Sequence, residues 1–320
     1  MNPSRRPLGR VRSRALCLAL SLIFPLTAAG CGEKPPPESG DGTLRIVATT
    51  TMLYDLTVSL AGEHAQVSAL MGPGVDPHLY EASAGDVKCL QEADVVVYHG
   101  LHLEGKMDDV FAGLTRQGRR IICAEDGIDP ADLLSDQQNP AIFDPHVWFD
   151  VRIWMDVADY TARRLMEIDP GHGEDYRSNL EFLLEELEEL DCDIRDRAAE
   201  LPEGSRILVT AHDAFRYFGT AYGFEVRGLQ GISTDAEAGT ADVRYLADFI
   251  VQSGVRAIFV ESSVPPKNIE ALQAAVEARG ASVSIGGQLY SDSLGDEASG
   301  CPTYSAACRA NIDTIVDALR

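Results

Sequence analysis

Four segments of the chain place a histidine or an aspartate where it could bind a metal ion. His78 follows a Gly/Pro-rich turn in MGPGVDPHLYEAS, and His146 lies in FDPHVWFD. His212 ends the predicted strand of LVTAHDAFRYF, and Asp292 follows another predicted strand in GGQLYSDSLG. Imidazole nitrogens and carboxylate oxygens are ordinary ligands of divalent transition metals. Any one of these histidines alone is more often a hydrogen-bonded loop or core residue, so the candidates count only as a set.

The first two of these histidines share an Asp-Pro pair directly before the imidazole. The pairs are Asp76-Pro77 and Asp144-Pro145. Proline restricts its own backbone and that of the preceding residue, so each loop can aim its histidine in a fixed direction. Imidazoles that are aimed in advance suit a metal site.

Other polar residues have a weaker case. His64 and His172 stand in polar, helix-flanking contexts and are expected to be solvated. His99 and His102 follow a strand in YHGLHLEGKM and are expected to structure that loop, with His102 the one to watch for a binding role. Four acids near the candidate ligands could accept the second ring N–H of a ligating histidine, or equally cap a helix or pair with arginine. They are Glu81, Asp144, Asp213 and Glu261.

Short β-branched runs alternate with helical stretches from Thr43 onward. The predicted strands are LRIVATT, ADVVVYHG and RRIICAE in the first half, and SRILVTAH, RAIFVESS and ASVSIGG in the second. This alternation predicts an α/β fold with two lobes, each a mainly parallel sheet flanked by helices. Ligand sites in such sheets form at the carboxyl ends of the strands, so loops from both lobes can meet in one cleft.

One long helical pattern separates the two halves. Apolar residues recur at a spacing of three to four from Tyr176 to Leu201, and Pro202 and Gly204 end the run. The pattern predicts a single rigid linker helix, with a coiled-coil or dimer seam as the alternative. The expected boundaries are 43–172 for the first lobe, 173–201 for the linker helix and 202–320 for the second lobe.

The N-terminus has the organisation of a secretory signal. Residues 1–30 hold five arginines, all within the first 14 positions, and no acid; the apolar run ALCLALSLIFPL and small residues follow the arginines up to Cys31. The run is too short to span a membrane comfortably. Ala-Ala-Gly directly before Cys31 resembles a bacterial lipoprotein signal, in which this cysteine carries the lipid; plain secretion is the alternative. Residues 31–42 are rich in proline, glycine and acids and are expected to form a flexible tether outside the cytoplasmic membrane.

The charge and the cysteines exclude several classes of protein. The formal net charge of -23 argues against nucleic acid and against anionic lipid surfaces as partners. Apolar residues make up 45% of the chain, which is enough for one large or two medium cores. The chain contains no CxxC pair, so neither a thiolate zinc site nor a thioredoxin-like site is supported. Pairing of Cys301 with Cys308 stays open beside the alternative of buried free thiols.

Taken together, these segments resemble the metal-binding lipoproteins of bacterial ABC importers for zinc and manganese, the TroA-type and ZnuA-type cluster. The motifs run in the family's order over nearly the whole chain after the tether: TTTMLYDLTVSLAG, GPGVDPHLYEASAGDVKCLQEADVVVYHGLHLEGKM, DPHVWFDV, LVTAHDAFRYFGTAYGFEVRGLQGISTDAEAG, IFVESSVPPKNI and GGQLYSDSLG. The resemblance implies one metal ion between two lobes, held by the set His78, His146, His212 and Asp292. It also implies a monomer, attached through lipid on Cys31, that delivers Zn²⁺ or Mn²⁺ to an ABC permease and its ATPase.

The choice of metal depends on the donors that the resemblance implies. Three imidazoles and one carboxylate suit tetrahedral Zn²⁺, and they could hold Mn²⁺ if Asp292 bound through both oxygens. Manganese-restricted relatives tend to place a glutamate where this chain has His212, whereas the His-rich acidic loop of ZnuA-type proteins is absent here. The sequence therefore fits the TroA-type pattern and favours zinc over manganese.

Two other functions compete with metal transport. A secreted zinc hydrolase would need an open coordination position, whereas four protein ligands would close the shell, and HExxH is absent. A surface adhesin with a structural metal would need an adhesive module, which nothing in the chain resembles. The prediction is a binding protein and not an enzyme.

Overall fold

The first half of the protein is built on a four-stranded parallel sheet. The computed structural model describes residues 43–136 and 139–320, and the signal segment, Cys31 and the tether lie outside these ranges. The strands are β1 (Leu44–Ala48), β2 (Ala65–Ala69), β3 (Val95–Tyr98) and β4 (Arg120–Cys123), in the order β2-β1-β3-β4. The connecting helices are α1 (Thr51–Ala61), α2 (Ala84–Glu92) and α3 (Asp108–Arg116).

The second half repeats the α/β pattern with two parallel strand pairs. Strand β5 (Ile207–His212) pairs with β6 (Glu225–Gln230), and β7 (Ala257–Glu261) pairs with β8 (Ser284–Leu289). The helices of this half are α6 (Arg216–Tyr222), α7 (Thr240–Ser253), α8 (Lys267–Glu277) and α9 (Tyr304–Leu319). The predicted fold class, parallel sheets flanked by helices, is confirmed.

A long helix joins the two halves, as its apolar spacing predicted. Helix α4 (Val151–Ile168) leads into α5 (Gly173–Ala199), which packs against α1, α4 and α9. The inward stripe of α5 is buried and consists of Tyr176, Leu180, Leu187, Leu190, Ile194 and Ala198. Because this stripe faces the protein's own helices, it is not a dimer seam. The lobe boundaries at 172 and 202 stay predictions.

A buried carboxylate adds polar contacts to the linker helix. Asp191 on α5 is 1% exposed and accepts hydrogen bonds from Arg152 of α4, from Arg195 and from the hydroxyl of Tyr222 on α6. Arg195 lies on α5 itself, whereas Arg152 and Tyr222 come from the helices before and after it in the chain. The carboxylate thus restrains the linker helix in addition to the apolar stripe.

The sequence pattern did not predict two of the strands, β2 and β6. Strand β2, AQVSA, is a mostly exposed edge strand, and β6, EVRGLQ, carries charges and a glycine. Packing explains the glycine in β6, because a Cβ atom at Gly228 would lie 2.4 Å from the backbone nitrogen of Asp213. Only glycine lets β6 approach the end of β5, where His212 lies.

The structure also shows the state of the described cysteines and the character of the described helices. Cys89, Cys123, Cys192, Cys301 and Cys308 are all free thiols, so Cys301 and Cys308 do not pair. Within the ranges that the structure describes, no helix is long and apolar enough to cross a membrane.

We expect Asp191→Ala to lower the free energy of unfolding by about 1–3 kcal/mol, because it leaves the buried hydroxyl of Tyr222 without its acceptor. The matched control on the same helix is Asp193→Ala, which removes an exposed pair with Arg309 and should cost less than about 0.5 kcal/mol. Urea denaturation measures both. Equal losses in the two variants would contradict the anchoring role of Asp191.

Candidate metal centre

His78, His146, His212 and Asp292 converge on one buried point. One ligand atom from each lies within 4.8 Å of the others. The Nε2 atom of His146 is 3.2 Å from that of His78 and 3.3 Å from that of His212. Asp292 places Oδ1 3.4 Å from His146 Nε2 and Oδ2 3.3 Å from His212 Nε2. In a tetrahedral shell with bonds of about 2.0–2.1 Å, neighbouring ligand atoms lie about 3.3 Å apart, so these four distances match neighbouring positions of such a shell.

Each candidate ligand lies at the end of an element or in a braced loop. His212 ends β5 and Asp292 follows β8, which are carboxyl ends of parallel strands. In the two Asp-Pro loops the aspartate side chain accepts a hydrogen bond from the backbone of the histidine and so holds the loop in place. The backbone N–H of His78 donates to Asp76 at 2.9 Å, and that of His146 donates to Asp144 at 3.0 Å. The loop geometry therefore aims both imidazoles without help from a metal.

Buried carboxylates face the Nδ1 atoms of two of these histidines. His146 Nδ1 lies 2.7 Å from Asp144, and His212 Nδ1 lies 2.6 Å from Glu261. A carboxylate at Nδ1 holds the proton there and leaves Nε2 free to bind a cation. Two of the four acids suggested by the sequence therefore take this position.

The other two suggested acids pair elsewhere. Glu81 is exposed and lies 3.9 Å from Lys106, and Asp213 lies 3.8 Å from Arg216. Proximity in sequence to a candidate ligand did not bring either acid onto an imidazole.

Asp292 is a buried anion that lacks a full set of partners. The hydroxyl of Ser263 donates to its Oδ2 at 3.2 Å, whereas Oδ1 accepts no hydrogen bond. A buried carboxylate oxygen without a donor is costly unless a cation compensates it. Sequence reasoning missed Ser263, although it stands two residues after Glu261 at the end of a predicted strand.

The charges of the cluster are strongly coupled. Burial alone would lower the pKa of His146, but Asp144 and Asp292 outweigh burial and raise it to about 8. Burial likewise opposes protonation of His212, yet Asp292 and Glu261 raise its pKa well above the usual value. Burial would raise the pKa of Asp292, but the facing imidazoles hold it well below its usual range. Two imidazolium groups thus compensate this carboxylate when no metal does.

His78 differs from the other two imidazoles. Burial lowers its pKa to about 3, with Asp292 opposing this shift and the imidazoles of His146 and His212 adding to it. It therefore stays neutral and needs no deprotonation before it can bind a metal ion.

A cavity of about 420 Å³ opens from the surface onto the cluster. Its lining includes His78, His102, Lys106, Phe143 and Asp235. His78 is the one candidate ligand among the residues that line this cavity. The cavity supplies an entry path, which a metal site requires.

The remaining histidines lie outside the cluster. His99 is buried between Trp148 and Trp154 and hydrogen-bonds Thr50, which fits the expected structural role. His102 is exposed at the cavity and pairs with Asp108 at 3.0 Å.

His64 and His172 are more ordered than their polar context predicted. Their rings stack with centroids 4.1 Å apart, and the two side chains contact Asp175 and Asp169 respectively. The expectation of simple solvation was incomplete, because the contact joins segments that are distant in sequence.

We expect Asp144→Asn and Glu261→Gln each to weaken Zn²⁺ binding by about 10- to 100-fold, because an amide accepts the ring N–H less strongly and fixes the tautomer less firmly. Glu81→Gln is the matched control and should bind as the unmodified protein does. Competition with a coloured zinc chelator measures all three. Equal affinity in all three variants would contradict the assigned contacts.

Comparisons with known proteins identify the family of this chain. The family ZnuA, described as zinc-uptake complex component A, periplasmic, matches residues 46–318. The manganese-binding lipoprotein MntA of Bacillus subtilis (strain 168) is 44% identical over 310 residues, which cover 97% of this chain and 100% of that protein. The zinc-binding protein TroA of Treponema pallidum (strain Nichols) is 45% identical over 310 residues, covering 97% and 99%.

A solved structure gives the same result for the fold. The periplasmic zinc-binding protein TroA from Treponema pallidum superposes with a TM-score of 0.84 at 46% identity, covering 87% of this chain and 99% of that one. The match to the family extends over most of the chain, well beyond the histidine motifs. The chain therefore belongs to the ZnuA family, the periplasmic component A of zinc-uptake complexes.

Proposed function

We propose that this protein captures a divalent transition metal ion outside the cytoplasmic membrane and delivers it to an ABC permease and its ATPase. The observation that carries the proposal is the buried set of three imidazoles and one carboxylate, spaced as a metal shell. The relatives support the transport role, because MntA and TroA are named as metal-binding proteins and FimA of Streptococcus parasanguinis as a metal ABC transporter substrate-binding lipoprotein. The metal is the cargo of this protein.

The donors favour Zn²⁺ over Mn²⁺. Two relatives of nearly equal identity, 44% and 45%, are named for different metals, so identity alone does not choose. Three imidazoles suit Zn²⁺, whereas Mn²⁺ prefers more oxygen ligands. Mn²⁺ would need both oxygens of Asp292, and Ser263 already donates to one of them.

The attachment and the assembly state extend the proposal. Lipid on Cys31 would hold the protein at the membrane, residues 31–42 would act as the tether, and the protein would work as a monomer. The signal-like N-terminal segment of this chain and the lipoprotein names of MntA and FimA support the lipid attachment.

Catalysis is a poorer fit to the same residues. A catalytic zinc site keeps one position open for water, whereas this cluster offers four protein ligands around one point. Within the described ranges no structural feature favours an adhesin over a binding protein.

We expect His78→Ala and His212→Ala to weaken Zn²⁺ binding by at least about 100-fold, since each removes one ligand from the four-residue shell. The fold should survive, because each half keeps its own buried core, and circular dichroism checks this. His64→Ala, outside the cluster, is the matched control.

The same titrations identify the metal. Protein purified without added metal should bind one Zn²⁺ per chain, and Zn²⁺ should displace bound Mn²⁺ at equal concentration. Unchanged affinity in both ligand variants would sink the proposed site, and preferential retention of Mn²⁺ would overturn the choice of zinc.

Metal binding should release protons from the cluster. The number released depends on which imidazoles are protonated before the metal binds. His146 and His212 carry protons near neutral pH because their pKa values are raised, whereas His78 is neutral. Each must be neutral to coordinate, so about two protons leave per Zn²⁺ bound at pH 6–7, and affinity falls as the pH falls. Calorimetry in buffers of different ionisation enthalpy counts these protons. Release of none would mean that His146 and His212 do not coordinate the ion.

A further inference from the structure

One cationic side chain of the second half reaches a ligand-bearing loop of the first. Arg216 is the first residue of α6 and stands four residues after His212. Its Nη1 donates to Asp144 Oδ2 at 3.5 Å, and its Nη2 donates to the backbone carbonyl of Ser135 at 3.0 Å. Its Nε lies 3.8 Å from Asp213. The guanidinium, 15% exposed, thus bridges α6 and the loop before His146.

The two carboxylate oxygens of Asp144 contact different residues, His146 and Arg216. Oδ1 accepts from both the backbone N–H and Nδ1 of His146, and Oδ2 faces Arg216. The carboxylate is fully buried. Rotation about its last bond would break contacts on both sides, so a ligand for Oδ2 also fixes the direction of Oδ1.

The neighbouring residue of α6 holds the same loop through its backbone. The hydroxyl of Tyr217 donates to the carbonyl oxygen of Asp144 at 3.1 Å and accepts from the N–H of Leu134 at 3.0 Å. Of these two residues of α6, Tyr217 therefore holds the backbone of the loop and Arg216 contacts the carboxylate. The two roles can be separated by substitution.

The other carboxylate at an imidazole lacks such a partner. Within the described part of the chain, Glu261 has no arginine or lysine within ion-pair distance, and it contacts His212 through both the ring and the backbone N–H. The cationic brace is therefore specific to the His146 side of the cluster.

We propose that Arg216 is a positioning residue that fixes the Asp144 carboxylate and thereby the direction in which His146 presents Nε2 to the metal. The proposal rests on the proposed function, because it assigns His146 as a ligand. A buried carboxylate needs compensation, and a guanidinium at fixed geometry supplies it without competing for the metal. Since Arg216 and His212 belong to the same β5–α6 segment, Arg216 also sets the position of His146 relative to His212.

The test compares Arg216→Gln with three variants. Arg216→Lys keeps the charge, and Tyr217→Phe loosens the loop but keeps the arginine. Arg197→Gln is the matched control, because it removes a similarly buried arginine, 19% exposed, that pairs with Asp313 far from the cluster in sequence. Zn²⁺ affinity is measured by chelator competition, and the d–d spectrum of the Co²⁺-loaded protein reports the ligand geometry.

We expect Arg216→Gln to weaken Zn²⁺ binding by about tenfold and to alter the Co²⁺ spectrum, with both largely restored in Arg216→Lys. Tyr217→Phe and Arg197→Gln should keep the unmodified spectrum. An unmodified spectrum and affinity in Arg216→Gln would overturn the proposal, as would an identical change in Tyr217→Phe, which would reveal a purely structural effect. If Arg216→Gln fails to fold, the Co²⁺ spectrum of Asp144→Asn decides, because this variant removes the carboxylate that Arg216 is proposed to fix; an unmodified spectrum in Asp144→Asn would overturn the proposal. An unmodified protein that binds neither metal would overturn the proposed function as well.

Discussion

The negative charge of Asp292, buried among imidazoles, is the constraint on which the rest of the centre depends. This carboxylate is 1% exposed, and its Oδ1 atom accepts no hydrogen bond. A buried anion must be compensated by a cation. Protons on His146 and His212 can supply the positive charge, and so can a divalent metal ion at the same point. We therefore propose that the site exchanges protons for a metal ion, which would link capture and release to the protonation of the protein.

Elements of both halves position the four proposed ligands. Strands β5 and β8 bring His212 and Asp292 together at their carboxyl ends, while the Asp-Pro loops of the first half aim His78 and His146. Helix α5, buried along one stripe and held by polar contacts, packs against α1 and α4 of the first half and α9 of the second. The close approach of the ligand atoms follows from these restraints, and we propose zinc because three imidazoles and one carboxylate suit it better than they suit manganese.

The sequence predicted the parts of this centre that depend on local pattern. Alternating strand and helix signals gave the α/β class, the apolar spacing gave α5, and the motifs around four residues gave the proposed ligands. Contacts between distant segments were not readable. Glu81 stands three residues from His78 yet pairs with Lys106, whereas Arg216, which no local motif marked, reaches Asp144 across 72 positions. Such contacts depend on side-chain direction and on packing between distant segments. Neither can be read from the periodicity of the sequence. The edge strand β2 was missed because it is mostly exposed and lacks an apolar run.

X-ray absorption spectroscopy of the Zn²⁺-loaded protein tests the central claim most directly, because it counts the atoms bound to the metal. The account predicts a four-coordinate ion with three imidazole nitrogens at about 2.0–2.1 Å and one carboxylate oxygen at about 2.0–2.2 Å. Loss of one imidazole signal in His212→Ala would assign that residue. A sulfur ligand at about 2.3 Å, or a shell with fewer than three imidazoles in the unmodified protein, would contradict the claim that His78, His146, His212 and Asp292 hold the ion.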